Sequence, residues 1–499
     1  MKKNLSIFMT VIMFASLLVG CTPATPAKDT LTFMTAINAQ SLDPASGVPG
    51  DHTYYHAVFD TLVNYDDNAQ IRPGLAESWT KGTDGVTYTF NLRQGVKFHD
   101  GSAFTADDVI YTMDTIMALP LYGQFSLTFA SWQKVDDYTV TITATFPYTK
   151  LLETLALVPA IVPMQTHSAD PAGFANIPIG TGPYKFVSRD TDGTINLVAN
   201  EDYWGGAPAF VNAILKPPVE SSTAVVALEN GEVDVIITVP PSQIPLIQQN
   251  DNLELVETSG YLTYTLMMMG DPLRQDMNLR QAIFHGIDRA KLVEIANEGI
   301  GQPSTDLFSA KLLGDLAGSV EFVGYDKALA QELLAQSTYQ PGQTILMTIT
   351  PDVAAMAQSI QADLGDLGIT IEIEQLDING WSTKIINGEA AMTLVPSGSP
   401  TNSLESTLGI FSQSYPYFGK DMYSTPEYEE LIAQINAEPN EAARKVLLKQ
   451  ALELQYEYAN MVPLFDAVSN FAHSISVTNI SPISAATEIF YIGDFKPAE

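Results

Sequence analysis

Six histidines and one cysteine are the side chains of this 499-residue chain best suited to metal binding or nucleophilic catalysis. Only His52 and His56 lie close together, four residues apart in a segment with helical periodicity. This spacing places two imidazoles on one helix face, where both rings can reach a metal ion or a metal chelate. A metal site needs more than two ligands, so we expect a solvated or hydrogen-bonded pair and predict no cofactor.

The motifs of the common enzyme classes are absent from the sequence. It contains no GxSxG elbow, no HExxH, no Walker A sequence and no GxGxxG that opens a helix. His99 belongs to a segment that alternates like a hairpin, and we interpret it as structural. We therefore predict that the protein is not an enzyme.

The single cysteine, Cys21, follows an apolar segment at residues 5–18, which two lysines precede. This order of charged, apolar and small residues resembles a bacterial lipoprotein signal, in which a lipid is attached to the cysteine sulfur. We predict residues 1–20 as a signal peptide that is removed and Cys21 as the lipidation site. Residues 21–30 would then form a proline-containing tether.

The composition excludes several classes of function. The chain has 57 acidic and 24 basic residues, a formal net charge of −33 that becomes −35 when residues 1–20 are removed. This charge disfavours nucleic-acid binding and repels an anionic lipid surface. The hydrophobic content of 46% supports packed cores, and the length exceeds that of a typical single core, so we expect at least two lobes. One cysteine cannot form an internal disulfide.

Hydrophobic periodicity predicts a mixture of strands and helices, and therefore an α/β or α+β class. Alternating apolar residues predict strands at residues 31–36 and 137–146 and a hairpin at 85–101. The predicted helices are 52–65, one that begins after Thr105, the segment 278–296, in which Asp288 can cap a further helix, one that begins after Thr425, and 441–459. In the last of these helices the periodicity predicts that Val446, Leu447, Ala451 and Leu454 face inward.

Eight motifs stand out along the chain. They are SLDP at 41–44, FDTLV at 59–63, RPGLAESWT at 72–80, DGVTYTFNLRQGVKFHDGSAFTADDVIYT at 84–112, PIGTGPYKF at 178–186, NEDYWGG at 200–206, VALENGEVDVI at 226–236 and NLRQAIFHGIDRAKL at 278–292. In this order they resemble the solute-binding proteins of family 5, the peptide- and nickel-binding lipoproteins that serve ABC importers. The resemblance covers essentially the whole chain after the tether.

The resemblance implies an α/β fold of the large periplasmic-binding-protein type (class II, cluster C). Such a fold has two lobes, a ligand cleft between them and two crossing strands as a hinge. By analogy, lobe I takes residues 31–262, with a subdomain at about 76–178, and lobe II takes residues 263–475. Residues 476–499 would return to lobe I.

The implied ligand pocket is a cleft lined by apolar and aromatic side chains with a few polar groups. The motif glycines Gly101, Gly180 and Gly182 are interpreted as turn positions and are not candidates. Each aromatic candidate fits a core equally well, since large aromatic residues dominate ordinary cores. The candidates are Tyr54, Tyr55, Trp132, Met268, Met269, Trp381, Ser397, Ser399, Tyr415, Tyr417 and Phe418.

The segment 395–428 occupies the place where peptide-binding relatives carry an acidic D-x-x-DP loop, whose aspartate receives the peptide amino terminus. The matching residues here, 397–402, contain no acid. An unpaired ammonium in a dry pocket is costly, so either another acid serves or the ligand differs. The segment is also similar to the nickel branch, but that branch offers arginines near residues 146–163, where this chain has only Lys150.

We therefore predict a monomeric, lipid-anchored binding protein on the outer face of a Gram-positive membrane or in a periplasm. It would capture a small peptide or related solute and deliver it to the permease subunits of an ABC importer. Binding of a nickel chelate is the alternative within the family. A secreted hydrolase on the same fold and a sensor that presents its ligand to a receptor are the alternatives from other classes.

Overall fold

Strands and helices alternate along the chain, which confirms the predicted α/β class. The computed structural model describes residues 28–46, 51–66, 70–119, 128–146, 148, 150–296, 299, 301–398, 403–413, 422–480, 482–484 and 489–498. Strands β1 to β21 are Thr30–Met34, Val63–Tyr65, Ile71–Pro73, Ala76–Lys81, Thr87–Leu92, Phe129–Asp136, Thr139–Ala144, Tyr184–Arg189, Ile195–Ala199, Asn212–Lys216, Val235–Ile237, Leu253–Met268, Gln302–Pro303, Thr344–Ile349, Thr370–Gln375, Met392–Ser397, Met461–Ser474, Val477–Thr478, Pro482–Ser484, Ile489–Phe490 and Lys496–Pro497. Helices α1 to α16 are His52–Val58, Ala106–Met117, Leu151–Leu157, Met164–Ala169, Pro171–Phe174, Ser221–Glu229, Ile244–Gln248, Met277–Gly286, Arg289–Ala296, Ala310–Leu313, Lys327–Gln336, Ala354–Gly365, Ile378–Asn387, Leu404–Gly409, Pro426–Ala437 and Glu441–Tyr458.

One large mixed sheet runs through the described part of the chain. Its strand order is β15-β14-β16-β12-β17-β11-β1-β10-β9-β8, and β13 pairs with β17 beside this path. The two longest strands, β12 and β17, lie next to each other in the middle of the sheet and pair antiparallel. A separate four-stranded sheet has the order β4-β5-β7-β6.

The buried apolar side chains form separate clusters. The middle core consists of buried residues between positions 266 and 465. The small-sheet core consists of residues between positions 45 and 161 together with Ile489. The terminal core combines residues between positions 31 and 235 with residues between 471 and 495. Strand β17 contributes Phe465 to the middle core and Phe471 to the terminal core, so it connects the two.

Two helices follow their sequence signals closely. Helix α2 begins after Thr105, and the capping box predicted for Thr105 and Asp108 is present. Helix α15 begins at Pro426, and the Thr425 hydroxyl accepts a hydrogen bond from the Tyr428 N–H, as expected of an N-cap. These predictions are confirmed because each rests on contacts within a few residues.

Helix α16 has the predicted length, and three of the four residues predicted to face inward do so, since Ala451 is buried and Leu447 and Leu454 pack against the middle core. The exception is Val446. Val446 is 59% exposed, whereas Leu448, Ala451 and Leu452 are buried. The reason is that Arg444 lies on the buried side, where its Nε donates to Glu405 Oε1 at 3.0 Å. A polar residue on the inner face misleads an argument from hydrophobic periodicity.

The predicted helix at 52–65 ends early, at Val58, and residues 63–65 form strand β2. Its last carbonyl is taken by another segment, because the Gly182 N–H donates to Val58 O at 2.9 Å. A Cβ at Gly180 would lie 1.9 Å from Val58 O, and a Cβ at Gly182 would lie 2.6 Å from the Val58 carbonyl carbon. Close approach to α1, rather than a turn conformation, is therefore what requires glycine at both positions.

His99 fixes this contact from the other side, in agreement with its structural interpretation. The Gly180 N–H donates to His99 Nδ1 at 3.3 Å, and His99 Nε2 lies 3.0 Å from Gly182 O. Burial lowers the pKa of His99 to about 4. The imidazole is therefore neutral at physiological pH, with one ring nitrogen accepting and the other donating.

Candidate functional site

Strands β12 and β17 pair side by side and run from the terminal core to the middle core. Polar side chains gather where this pair of strands passes from one core to the other, a point called the crossing below. Strand β17 pairs with β13 through Phe465 and Asp466, and with β11 through residues 471–473. Asp466 is therefore the residue of the β13 pairing that lies nearest along β17 to the part that pairs with β11. Because two packed units on a shared pair of strands can close about such a crossing, we take this region as the candidate site.

A row of polar residues crosses three neighbouring strands at this point. Thr263 on β12 is in register with Asp466 on β17 and with Ser397 on β16. The Thr263 hydroxyl donates to Asp466 Oδ1 at 2.9 Å. Two residues further along β12, the Thr265 hydroxyl is hydrogen-bonded to the Ser397 hydroxyl. Since residues in register point to the same side of a sheet, these four side chains form one polar face.

The opposite face of the same strands is aromatic. The rings of Tyr264 and Phe465 stack with centroids 4.9 Å apart and an interplanar angle of 24°. Phe465 is buried in the middle core. This packing holds the backbone of both strands in place, and so it positions the polar face on the other side.

Asp466 is a partly exposed carboxylate in an unfavourable electrostatic environment. Burial is the main cause that raises its pKa, the hydrogen bond from Thr263 opposes this effect, and the nearby charge of Asp306 adds to it. No described cation forms an ion pair with Asp466. The carboxylate thus has one neutral donor and one acidic neighbour.

A direct hydrogen bond joins the two sides of the crossing. The Tyr148 hydroxyl lies 3.1 Å from the Ser406 hydroxyl. Tyr148 packs against the small-sheet core, and Ser406 lies in α14, whose Leu404 and Leu408 belong to the middle core. The structure therefore has the two sides in contact at this point.

A second polar cluster lies around Asp60 and is built from motif residues. Asp60 is 4% exposed, and its carboxylate accepts hydrogen bonds from the Thr181 hydroxyl at 2.8 Å, the Tyr203 hydroxyl at 2.9 Å and Trp204 Nε1 at 2.9 Å. These residues come from three motifs that are far apart in sequence, FDTLV, PIGTGPYKF and NEDYWGG. Because its donors are all internal, this carboxylate holds the scaffold together.

The sequence-predicted residues of α1 lie in or beside the terminal core. Tyr54 and Tyr55 are buried, and the Tyr55 hydroxyl donates to Asp43 O at 3.4 Å. His56 is buried with its ring 4.9 Å from the ring of Tyr491, and burial lowers its pKa to about 3. Burial also lowers the pKa of His52. Both imidazoles are therefore neutral in the folded protein.

Most of the other described candidates lie on the strands that end in the middle core or on a helix that packs against them. Met268 and Met269 are buried in the middle core. Trp381 on α13 donates from Nε1 to the Thr393 hydroxyl on β16 at 2.8 Å, and Ser397 ends the same strand. Trp132 is apart from them, on β6, where its Nε1 donates to Asp114 Oδ1 at 2.7 Å. The structure brings Ser397 to the polar face, and the roles of these residues in ligand binding stay predictions.

Five predicted residues lie outside the described part of the chain. They are Cys21, Ser399, Tyr415, Tyr417 and Phe418. Within the described residues, no group of three or more histidine, cysteine, aspartate or glutamate side chains is placed to hold a metal ion.

Sequence reasoning did not single out Asp466 or Asp60. Each stands directly after a phenylalanine in an otherwise apolar run, PLFDAV and VFDTLV, and this is the signal that marks them. An acid in a segment that must be buried needs either internal donors or an external partner. Only the three-dimensional contacts distinguish the two cases.

The sequence profile of the bacterial extracellular solute-binding proteins, family 5 Middle, matches residues 70–418. The chain is similar to heme-binding protein A of Haemophilus influenzae, with 25% identity over 91% of this chain and 89% of the relative. It is also similar to di/tripeptide-binding protein 2 of Pseudomonas aeruginosa, with 26% identity over 91% of this chain and 93% of the relative.

Among solved structures, the fold is similar to an ABC transporter-associated periplasmic binding protein of Helicobacter pylori in complex with a peptide. The TM-score is 0.83 and the identity 24%, over 95% of this chain and 99% of the other. This likeness confirms the predicted fold, which has two lobes, a cleft between them and two crossing strands as the hinge.

Proposed function

Because the chain belongs to the bacterial extracellular solute-binding proteins of family 5, we propose that it captures a small peptide or a related solute and delivers it to the permease of an ABC importer. The family consists of extracytoplasmic binding proteins of such importers and not of enzymes. In this proposal residues 31–262 and 476–499 form the first lobe, and residues 263–475 form the second.

The observation that carries the peptide proposal is the likeness, over nine-tenths of both chains, to a di/tripeptide-binding protein. The partly exposed carboxylate of Asp466 at the polar face also supports it, since a carboxylate can accept hydrogen bonds from the amide or amino groups of a peptide. The likeness to a heme-binding protein shows that family likeness by itself does not fix the ligand.

The proposed mechanism is a shift between open and closed arrangements of the lobes. A ligand that contacts both lobes favours the closed arrangement by its difference in affinity for the two states. The hydrogen bond between Tyr148 and Ser406 is a contact that opening would break. The bulges in the β12–β17 pairing, between Ser259 and Thr263 and between Tyr264 and Thr265, mark where the strands depart from a regular ladder and can bend.

Native mass spectrometry of protein purified from its host tests the proposal directly. We expect a co-purified mass or a set of masses that correspond to small peptides. Pools of di- and tripeptides should then raise the melting temperature and reduce the radius of gyration in solution scattering. A discrete metal-bearing adduct, or a shift with nickel chelates and none with the peptide pools, would overturn the peptide proposal in favour of the metal-chelate alternative.

We also propose that Cys21 carries a lipid that holds the protein at the membrane. Within the described residues, no helix is long and apolar enough to cross a bilayer. Two acyl chains on one residue satisfy the usual requirement for stable anchoring. Replacement of Cys21 by Ala should release the protein into the soluble fraction, and a Thr22→Ala variant is the matched control. Continued membrane retention of the Cys21→Ala variant would refute this assignment.

A further inference from the structure

A buried ion pair fastens the first described residue of the chain to the large sheet. The carboxylate of Asp234 is buried, binds the ammonium group of Lys28 and accepts a hydrogen bond from the Thr32 N–H at 2.8 Å. Within the described part of the chain, Lys28 is the cation that forms an ion pair with Asp234. A buried carboxylate that loses its counter-charge is costly, so this pair, the Lys28 clamp, holds the chain against the sheet.

The Lys28 clamp lies at the end of the large sheet that is opposite to the middle core. Asp234 directly precedes β11, and its carbonyl accepts from the Ser474 N–H at 2.8 Å. Ser474 ends β17 and is in register with Leu253, which begins β12. From this clamp end, β12 runs to Met268, which is buried in the middle core. The middle core is therefore at the far end of the same strand.

Two lengths decide how the protein can sit at a membrane. Strand β12 has 16 residues, so its ends are about 50 Å apart at about 3.3 Å per residue. Cys21, the proposed lipid site, is seven positions before Lys28, and seven residues span at most about 25 Å. A lipid on Cys21 would thus keep the clamp end within about 25 Å of the bilayer, whereas the far end is free to lie up to about 75 Å away.

The charge of the chain decides between an upright and a flat arrangement. The formal net charge is −33, and an anionic bilayer repels a body of this charge. The lipid holds the clamp end near the surface against this repulsion, and the far end has no such restraint among the described residues. Repulsion therefore turns the far end away from the bilayer.

We infer that the first lobe, which contains the clamp end, is the lobe next to the bilayer, and that the second lobe points away from it while the protein is not bound to the permease. The partner surface is an anionic lipid bilayer, which holds the clamp end through the lipid. The inference rests on the proposed function, because it needs a lipid on Cys21. It also implies that the second lobe is the one that swings when the lobes open and close.

The test measures energy transfer from a donor dye on the protein to an acceptor dye on the lipid headgroups. The lipidated full chain is bound to vesicles of phosphatidylcholine and phosphatidylglycerol. The donor is attached at Asp251→Cys, just before β12, or at Glu389→Cys, which precedes the part of β16 that pairs with Met268. Both positions are exposed and both substitutions remove one acid, so the two proteins are matched. Because the sulfur of Cys21 carries the lipid, only the introduced thiol reacts with the dye.

We expect the donor at position 251 to transfer energy at least about twice as efficiently as the donor at position 389, since the two ends of the strand are about 50 Å apart. A Gly/Ser segment of about 20 residues inserted after Thr22 adds about 25 Å of root-mean-square span. This insertion should lower the transfer from position 251 and reduce the difference between the two donors.

A variant of the clamp tests the part played by Lys28. Lys28→Met leaves Asp234 without its cation and frees the chain before β1, so it should lower the transfer from position 251 by less than the insertion does. Lys449→Met, at a lysine on α16 that is 45% exposed, is the matched control and should leave the transfer unchanged.

The remaining outcomes contradict the inference in distinguishable ways. Equal transfer from the two donors, or greater transfer from position 389, overturns the orientation and leaves lipid anchoring and solute capture intact. A protein that does not bind the vesicles overturns the anchoring proposal itself, and the inference falls with it. Unchanged transfer in Lys28→Met overturns the role of the Lys28 clamp. The comparison of the two donors leaves Lys28 in place, so it decides the orientation even if Lys28→Met fails to fold.

Discussion

Asp60 and Asp466 are both aspartates in apolar segments, and their surroundings are opposite in kind. Asp60 is 4% exposed and accepts hydrogen bonds from Thr181, Tyr203 and Trp204. Asp466 is partly exposed, has a single donor in Thr263 and has an acid as its electrostatic neighbour. The carboxylate of Asp60 thus has three donors within the protein, whereas that of Asp466 has one among the described residues.

The difference shows what the sequence motifs of this chain encode. Every donor to Asp60 lies in a motif, and so do Gly180 and Gly182, which pack against α1. Asp466 and Thr263 lie in none of the eight motifs. These motif residues therefore serve the packing of the scaffold, and the candidate site at Asp466 lies outside the motifs.

Removal of the Asp60 carboxylate should have the largest effect. In Asp60→Ala the buried Thr181 hydroxyl and the partly exposed Tyr203 and Trp204 lose their acceptor, and we expect the free energy of unfolding to fall by about 3–5 kcal/mol. Urea unfolding followed by circular dichroism measures this loss. Asp114→Ala, at an exposed acid with one donor, should lose less than about 1 kcal/mol, and an equal loss in both variants would contradict the role given to Asp60.

A buried cation can also be compared with Asp60, because Arg280 has its hydrogen-bond partners within the protein. Arg280 is fully buried in the middle core, where Nε donates to Tyr458 O at 2.7 Å and Nη1 donates to Leu273 O at 2.5 Å. Its guanidinium also lies 4.6 Å from the centre of the Tyr423 ring. Like Asp60, it is a motif residue whose partners are internal.

Arg280→Met keeps the apolar stem and removes the guanidinium donors to both carbonyls, of which Leu273 O keeps the Asp276 N–H at 3.3 Å. We expect a loss of about 2–3 kcal/mol in the free energy of unfolding, since the lost hydrogen bonds are partly offset by removal of a buried charge, whose burial lowers the pKa of Arg280 to about 10. Arg274→Met, at a partly exposed arginine, is the control and should lose less than about 0.5 kcal/mol. If Arg280→Met unfolds with the same free energy as the wild type, internal hydrogen bonds stabilise the fold at the buried carboxylate and not at this buried cation.

Local sequence signals predict much of the secondary structure, but they do not predict which distant residues meet at the candidate site. The capping box at Thr105 and the Thr425–Pro426 pair located two helix starts because their contacts span a few residues. The pairing of β12 with β17 joins residues about two hundred positions apart, and only the resemblance to a family implied it. On α16 the prediction is wrong only at Val446, which is exposed, while Arg444 lies on the buried side.

The candidate site shows the same limit. Ser397 was chosen for its place in a loop that departs from the family pattern, and the structure has it on the polar face beside Thr265. Asp466 was missed because its donor, Thr263, lies 203 positions away. Whether an acid in an apolar strand is satisfied internally depends on such distant partners, which periodicity does not reveal.

Asp51 is a buried carboxylate with main-chain donors, and it should make the free energy of unfolding depend on pH. It caps α1, where its Oδ1 accepts from the Tyr54 N–H at 2.8 Å, and burial raises its pKa to about 6 from the ordinary 3.8. Between about pH 4 and 6 the folded protein holds a proton that the unfolded chain releases. The contribution of Asp51 to stability therefore falls as the pH rises through this window and is constant above it.

Asp51→Asn keeps the cap and cannot titrate. At pH 7 it should be more stable than the wild type by about 2 kcal/mol, and the difference should disappear near pH 4. Urea unfolding of both proteins at pH 4 and pH 7 measures the effect. A difference that does not change with pH would show that the proton on Asp51 plays no part in folding.

Replacement of Asp466 should have the smallest effect on the free energy of unfolding, and it can be compared directly with the same replacement at Asp60. Asp466→Asn still accepts from Thr263 and removes a partly buried charge next to Asp306, so we expect the free energy of unfolding without ligand to stay equal or rise by up to about 1 kcal/mol. The measurement is urea unfolding of the ligand-free protein at pH 7, with Asp60→Asn alongside. If Asp466→Asn loses more than about 2 kcal/mol, its carboxylate serves the fold as that of Asp60 does, and the division between scaffold acids and ligand acids fails at the residue on which it depends.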